Sequence, residues 1–254
     1  VELTFEIYLV LFAVALFAGF IDAIAGGGGL ITIPALLAIG MPPAMALGTN
    51  KLQSCGGSFS ASWYFIRQKA VNLKQIIWLI VFTFLGAVLG TLLVQQINID
   101  FLKKILPFLI FAIGIYFLLT PKLGESDKKT RISYMGFALT AGLGIGFYDG
   151  FFGPGTGSFL GLAFVMLLGF NLAKATAHAK VLNFTSNIAS LLFFMIGGQL
   201  MWSVGIVMLI GQFIGARLGA KMVLTKGQKL IRPMVVVVAF VMASKLAFDY
   251  GWFE

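Results

Sequence analysis

Apolar runs of helical length, broken by short connections that carry glycine or charge, set the pattern of this chain. Ile76 to Val94, Ile105 to Leu119 and Val204 to Ala216 are the plainest of them. None alternates with the period of two that a half-buried strand needs. A backbone surrounded by lipid must also satisfy its own polar groups, so each run predicts a helix. Five segments are expected in the first half: about Leu3 to Ala23, about Leu30 to Ile39, about Pro43 to Ile66, about Leu73 to Gln95 and about Phe101 to Leu119. The polar run Pro121 to Arg131 follows, and five similar segments come after it. The expected fold class is all-α, a polytopic helical membrane protein. Residues 1–120 form a first membrane repeat, 121–131 a cytoplasmic linker and 132–254 a second repeat.

The halves match at nearly constant spacing. Asp22 and Asp149 lie 127 residues apart, as do Gly26 and Gly153. The second glycine turn is two residues longer, after which Lys51 and Lys180 lie 129 apart. The same offset relates Gly86-Ala87-x-x-Gly90 to Gly215-Ala216-x-x-Gly219. Matches in one order at one spacing indicate an internal repeat. Its second segment is too short to cross a bilayer. As a helix, Leu30 to Ile39 rises about 15 Å, roughly half the hydrocarbon thickness. A broken or re-entrant helix is therefore expected in each half, with its glycine-rich start near mid-membrane.

Composition narrows the class further. Hydrophobic residues make up 59% of the chain and charged ones 11%, the balance of an integral membrane protein. The net charge of +9 would suggest nucleic acid in a soluble protein. Here the basic residues sit in connections and at segment ends, so the lipid bilayer is the expected partner and nucleic acid is not. Arg67, Lys69 and Lys74, then Lys122, Lys128, Lys129 and Arg131, then Lys174, then Lys226 and Lys229 mark the cytoplasmic connections. Equivalent segments then cross in opposite directions, giving an inverted repeat with both termini periplasmic; Lys103 and Lys104 disagree with this scheme. Leu3 to Ile24 reads as mature structure rather than a signal peptide, because Glu2 and Glu6 stand where basic residues would. Cys55 and His178 are the only residues of their types, so no metal site and no cofactor are expected.

The candidate chemistry lies at the two glycine turns. A half-helix starting inside the membrane presents unpaired N–H groups and a positive dipole end, which attract an anion. Gly26, Gly27, Gly28 and Gly29 form one candidate cradle; Gly153, Gly155, Thr156, Gly157 and Ser158 form the other. Close helix packing is the competing explanation for the small residues. Asn50, Lys51 and Ser54 recur at helical spacing on one long segment, and Lys180, Asn183 and Asn187 on its counterpart. A buried lysine costs about 2.5–3.5 kcal/mol on insertion scales, which marks Lys51 and Lys180 for function. Asp22 and Asp149 are the expected partners of these lysines. Their pairing leaves two roles open: permanent neutralisation, or release of the carboxylate to bind a proton when an anion engages the lysine. His178 is a third candidate for such coupling, or a plain hydrogen-bonding group.

At these residues the chain resembles the TauE/SafE family of membrane permeases, the sulfite and organosulfonate exporter group, and most of all its YfcA-type members. The resemblance is carried by Asp22-Ala-Ile-Ala-Gly26-Gly-Gly-Gly29 with Thr49-Asn50-Lys51-Leu52-Gln53-Ser54. In the second half it rests on Gly146-Phe-Tyr-Asp149-Gly-Phe-Phe-Gly153-Pro154-Gly155-Thr156-Gly157 with His178-Ala-Lys180-Val-Leu-Asn183. It implies a permease of the inner membrane for sulfite, sulfonates or similar sulfur-containing anions. No Gly-x-x-x-x-Gly-Lys loop is present, so a gradient is expected to drive transport. The expected protein is a secondary transporter with a small anionic substrate, working by alternating access. An anion channel and an intramembrane enzyme using Asp and His are the alternatives, and a homo-oligomer is left open.

Overall fold

The computed structural model describes residues 3–96, 111, 115, 119 and 124–249. The expected segment from Phe101 to Leu119 thus lies almost wholly outside the described residues, with Lys103 and Lys104. In the first half, α1 spans Phe5–Ala25, α2 Gly28–Ala38, α3 Pro43–Arg67 and α4 Ile77–Val94. In the second, one helical run comprises α5 Tyr134–Phe137, a π-helical turn Ala138–Gly142 and α6 Leu143–Phe151. It is followed by α7 Thr156–Leu167, α8 Leu172–Ile196, α9 Trp202–Lys226 and α10 Gln228–Asp249.

Among the described residues, four helices are long and apolar enough to cross a membrane: α1, α4, α8 and α9. α3 has 25 residues, as α8 does, but is much more polar. Asn50, Lys51, Gln53, Ser58, Ser60 and Ser62 are all buried on it, shielded by α8 and α9. Hydropathy reports contact with lipid, and α3 sits behind its neighbours.

Each short helix folds back on the helix before it. Arg131 N–H donates to the Leu167 carbonyl at 2.9 Å and Lys128 N–H to Gly169 at 2.6 Å. The start of the second-half run therefore lies beside the end of α7. In the first half, Leu3, Ile7 and Tyr8 of the α1 end pack in one cluster with Leu36, Ile39 and Met41 of the α2 end. Both hairpins turn at glycines in the left-handed region, Gly27 at φ 97° and Gly155 at φ 84°, where a side chain would be strained.

α3 and α8 run in opposite directions. Met201, just past α8, donates its N–H to Thr49 Oγ1 near the start of α3 at 3.0 Å. Phe65 near the end of α3 shares a core cluster with Leu172 and Ala175 at the start of α8. The two hairpins enter from opposite ends of this pair and meet tip to tip. A Cβ on Gly26 would lie 2.3 Å from the Ser158 nitrogen, so only glycine permits the crossing.

The halves also grip each other reciprocally. A Cβ on Gly86 of α4 would meet the Leu143 carbonyl of α6 at 2.2 Å, and one on Gly215 of α9 would meet the Leu16 carbonyl of α1 at 1.9 Å. These glycines are packing contacts that let backbones approach closely. One apolar cluster joins Phe65, Val71 and Ile76 to Ile132, Leu172, Val223 and Ile231. It brings the basic stretches 67–74, 128–131, 174 and 226 to a single end of the molecule.

Candidate functional site

Lys51 and Lys180 each lie eight residues beyond the first residue of a long helix, about 12 Å along its axis. Because α3 and α8 oppose each other, those depths converge where the hairpin tips meet. The side chains are 2% and 1% exposed. Each reaches across to the aspartate of the other half: Lys51 Nζ lies 3.0 Å from Asp149 Oδ1, and Lys180 Nζ 2.8 Å from Asp22 Oδ2. Lys51 also donates to the Asp149 main-chain carbonyl. A buried cation with a partner avoids the cost of a lone charge. Glycine makes room for both ammonium groups, since a Cβ on Gly153 or Gly157 would stand 3.1 Å from Nζ of Lys51 or Lys180 respectively.

Between the tips lies a small polar cavity of about 20 Å³, above the ~10–15 Å³ that one water needs. Asp22, Gly27, Gly29, Asn50, Lys51 and Ser54 line one part of it; Asp149, Gly153, Gly155, Thr156, Gly157, Asn183 and Asn187 line the rest. It offers several donors beside the two paired carboxylates. The Gly29 and Gly157 N–H groups, each second in its half-helix, have no acceptor among the described residues. Asn50 Oδ1 accepts from Thr32 Oγ1 and Gln53 Nε2, both at 2.7 Å, so its amide N–H groups are left for the cavity. Asn183 Oδ1 likewise accepts from Asn187 Nδ2 at 2.9 Å.

Five residues of the expected set stand outside this cavity's lining. Lys180, bound to Asp22, lines the neighbouring cavity with Gly26 and Ser158. Gly26 forms the tip crossing. Gly28 donates its N–H to Asp22 Oδ1 at 3.0 Å. Ser158 donates its hydroxyl to the Ala25 carbonyl at 2.6 Å. His178 sits between the rings of Phe164 and Phe170, with Nδ1 2.7 Å from the Lys174 carbonyl of its own helix. A side chain placed among aromatic rings has no direct path to the aspartates.

Thr32 and Gln53, which orient Asn50, were not foreseen. Their signal is present: Thr32 is the one hydroxyl in an otherwise apolar half-helix, and Gln53 lies one turn from Asn50. The serines at 58 and 190 bond to carbonyls of their own helices, Ser54 and Ser186, rather than across an interface.

At the basic end, Asn171 caps α8 by accepting from Lys174 N–H at 3.0 Å. Asp127 of the linker accepts from Asn171 and pairs with Lys174 Nζ at 3.0 Å. Burial alone would raise Asp127, but the hydrogen bonds from Asn171 and Lys174 and the Lys174 charge hold its carboxyl below the usual carboxylate range.

A family model for the sulfite exporter TauE/SafE matches residues 11–246, spanning both hairpins and both lysines. The chain belongs to the TauE/SafE family. It is 61% identical over 253 residues to a probable membrane transporter protein of Haemophilus influenzae, covering 100% of this chain and 99% of that one. It is 62% identical over 240 residues to the probable membrane transporter protein YfcA of Escherichia coli, covering 94% and 89%. It is 49% identical over 248 residues to the probable membrane transporter protein ORF9 of a Sinorhizobium species, covering 98% and 95%. This TauE/SafE protein is thus a membrane transporter, and its relatives' names point to transport rather than to enzymatic chemistry.

Proposed function

We propose that this TauE/SafE protein is a secondary active permease. It moves a small anion, of the sulfite, sulfonate or related sulfur-containing class, across the inner membrane by alternating access. The observation that carries this reading is the pair of buried ammonium groups beside two opposed half-helix starts, with Lys51 and the unpaired Gly29 and Gly157 N–H groups at one polar cavity. Donors and positive dipole ends favour negative charge. Gly26, Gly27, Gly28, Gly29, Asn50, Lys51 and Ser54 build one wall, directly or as support. Gly153, Gly155, Thr156, Gly157, Ser158, Lys180, Asn183 and Asn187 build the other.

The halves act as an inverted repeat. Reciprocal glycine contacts, opposed α3 and α8, and hairpins meeting from opposite ends support this. Gathering of basic stretches at one end supports a cytoplasmic placement there, with both termini periplasmic. Two broken half-helices meeting at one central site support alternating access over a channel. A C-terminal reporter that is active only in the cytoplasm refutes the topology.

Function is tested by the melting temperature of the purified protein with sulfite, thiosulfate, methanesulfonate, sulfate and carboxylates. A ligand held at 100 times its Kd stabilises the folded form by about 2.7 kcal/mol. A rise with sulfur oxyanions is expected. No shift with any anion sinks the reading.

A further inference from the structure

The two aspartates occupy matching places in the repeat, yet their oxygens are engaged differently. Each oxygen of Asp22 has a donor: Oδ1 accepts the Gly28 N–H at 3.0 Å and Oδ2 the Lys180 ammonium at 2.8 Å. Asp149 differs. Its Oδ1 accepts both the Thr156 hydroxyl at 2.8 Å and the Lys51 ammonium at 3.0 Å. Its Oδ2 is buried and takes no donor among the described residues. A buried carboxylate oxygen without a donor is costly while the group is ionised. A proton placed there removes that cost.

The charge count leads to the same atom. Two lysines balance two aspartates, so a singly charged anion entering the cavity leaves one uncompensated negative charge where the dielectric is low. Of the four carboxylate oxygens, Asp149 Oδ2 is the one without a donor among the described residues. The groups that face Asp149 are few. Lys51 and Cys55 come from α3, Asp22, itself paired with Lys180, from α1, and Tyr148 from its own helix. The Tyr148 hydroxyl donates to the Pro154 carbonyl. α2, α4 and α7 carry no titratable side chain.

We propose that Asp149, and not its repeat partner Asp22, takes up one proton on Oδ2 with each bound anion. The inference rests on the anion-permease reading. Lys51 turns from Asp149 Oδ1 to the anion, the proton from the open aqueous side binds Oδ2, and the carboxyl changes from acceptor to donor. Release of the anion restores the ion pair and returns the proton. Asp22 keeps the Gly28 N–H and the Lys180 ammonium throughout.

The test is infrared difference spectroscopy of the purified protein with and without sulfite, thiosulfate or methanesulfonate, alongside the melting-temperature shift for the same anion. A carbonyl band of a buried carboxylic acid should appear on anion binding in the wild type and in Asp22→Asn, and be missing in Asp149→Asn. Affinity for methanesulfonate or thiosulfate should fall by about tenfold per pH unit as pH rises, the limit for one linked proton, with the slope lost in Asp149→Asn. If that variant does not fold, Thr156→Val must shift the band, because Thr156 bonds to no other carboxyl. Anion binding without the band, or a band that survives Asp149→Asn or ignores Thr156→Val, overturns the proposal and leaves the permease reading intact. Failure of all three anions to bind overturns both.

Discussion

The two flanks of the site are equivalent in sequence order and unlike in content. Away from the basic end, Leu30, Leu47, Phe151 and Phe152 are buried in one apolar cluster with Val94 and Phe194, and Ile33 packs against it. Counted from the first residue of each short helix, Gly28 and Thr156, the counterparts of Leu30 and Ile33 are Ser158 and Gly161; at the 129 and 127 offsets those of Leu47, Phe151 and Phe152 are Thr176, Ile24 and Ala25. Those residues instead line a second cavity of about 20 Å³, reaching from Gly26 and Lys180 to Leu172 and Ile231. One flank is a filled socket and the other is the same socket with its bulky side chains removed. The repeat is kept at the charged pairs and broken in the bulk of the two flanks; under the proposed alternating access, that difference in bulk sets which side opens. Closed packing resists opening because each buried methylene adds about 0.8 kcal/mol.

The sharpest way to break this comparison is at its symmetric part. Lys51→Ala and Lys180→Ala should each weaken anion binding by about a hundredfold, the scale of one charge-assisted hydrogen bond at about 1.5–3 kcal/mol. Each also leaves an aspartate buried without its cation, which costs about 3–5 kcal/mol in folding. Lys51→Ala with Asp149→Asn, and Lys180→Ala with Asp22→Asn, should regain most of the stability and none of the affinity. Titrations on the refolded-competent double variants separate the two effects. Loss confined to one lysine would place the anion on one half alone.

Much of this arrangement is legible in the residues. The constant offsets pair Asp22 with Asp149 and Lys51 with Lys180, and the shortness of the second segment forces a turn inside the membrane. Membrane helices built this way must match length to bilayer thickness, so counting residues is informative. Sequence alone leaves open which aspartate each lysine meets, because a repeat fixes equivalence and not contact. The exchange across halves follows from α3 and α8 running in opposite directions. His178 is misleading for a similar reason: a rare titratable residue two positions before Lys180 stands out in sequence, while its aromatic surroundings come from Phe164 and Phe170 of other segments. The flanks are the least legible part. Phe152 and Ala25 are unremarkable apolar positions until their places beside the two turns are compared.

A smaller effect sharpens the asymmetric part. A Cβ added at Gly161 meets nothing within 4 Å, so the second cavity accepts bulk without displacing backbone. Gly161→Ile with Thr176→Leu gives this flank the residues of the other, and should leave the melting temperature level or slightly raised. If ions reach the site through this flank, anion flux in proteoliposomes should fall at least tenfold, as a filled passage must open against new apolar contacts. The reverse change acts on stability first. Leu47→Ala empties the packed flank and should cost about 2–5 kcal/mol, the range for a large-to-small core substitution, while flux falls less than in the filled variant. Both variants leave Lys51, Lys180 and their aspartates in place, so affinity reports whether the site itself survives. Equal slowing by filling and emptying, with affinity unchanged, would show that the two flanks are passive walls and that their difference in bulk sets nothing about access.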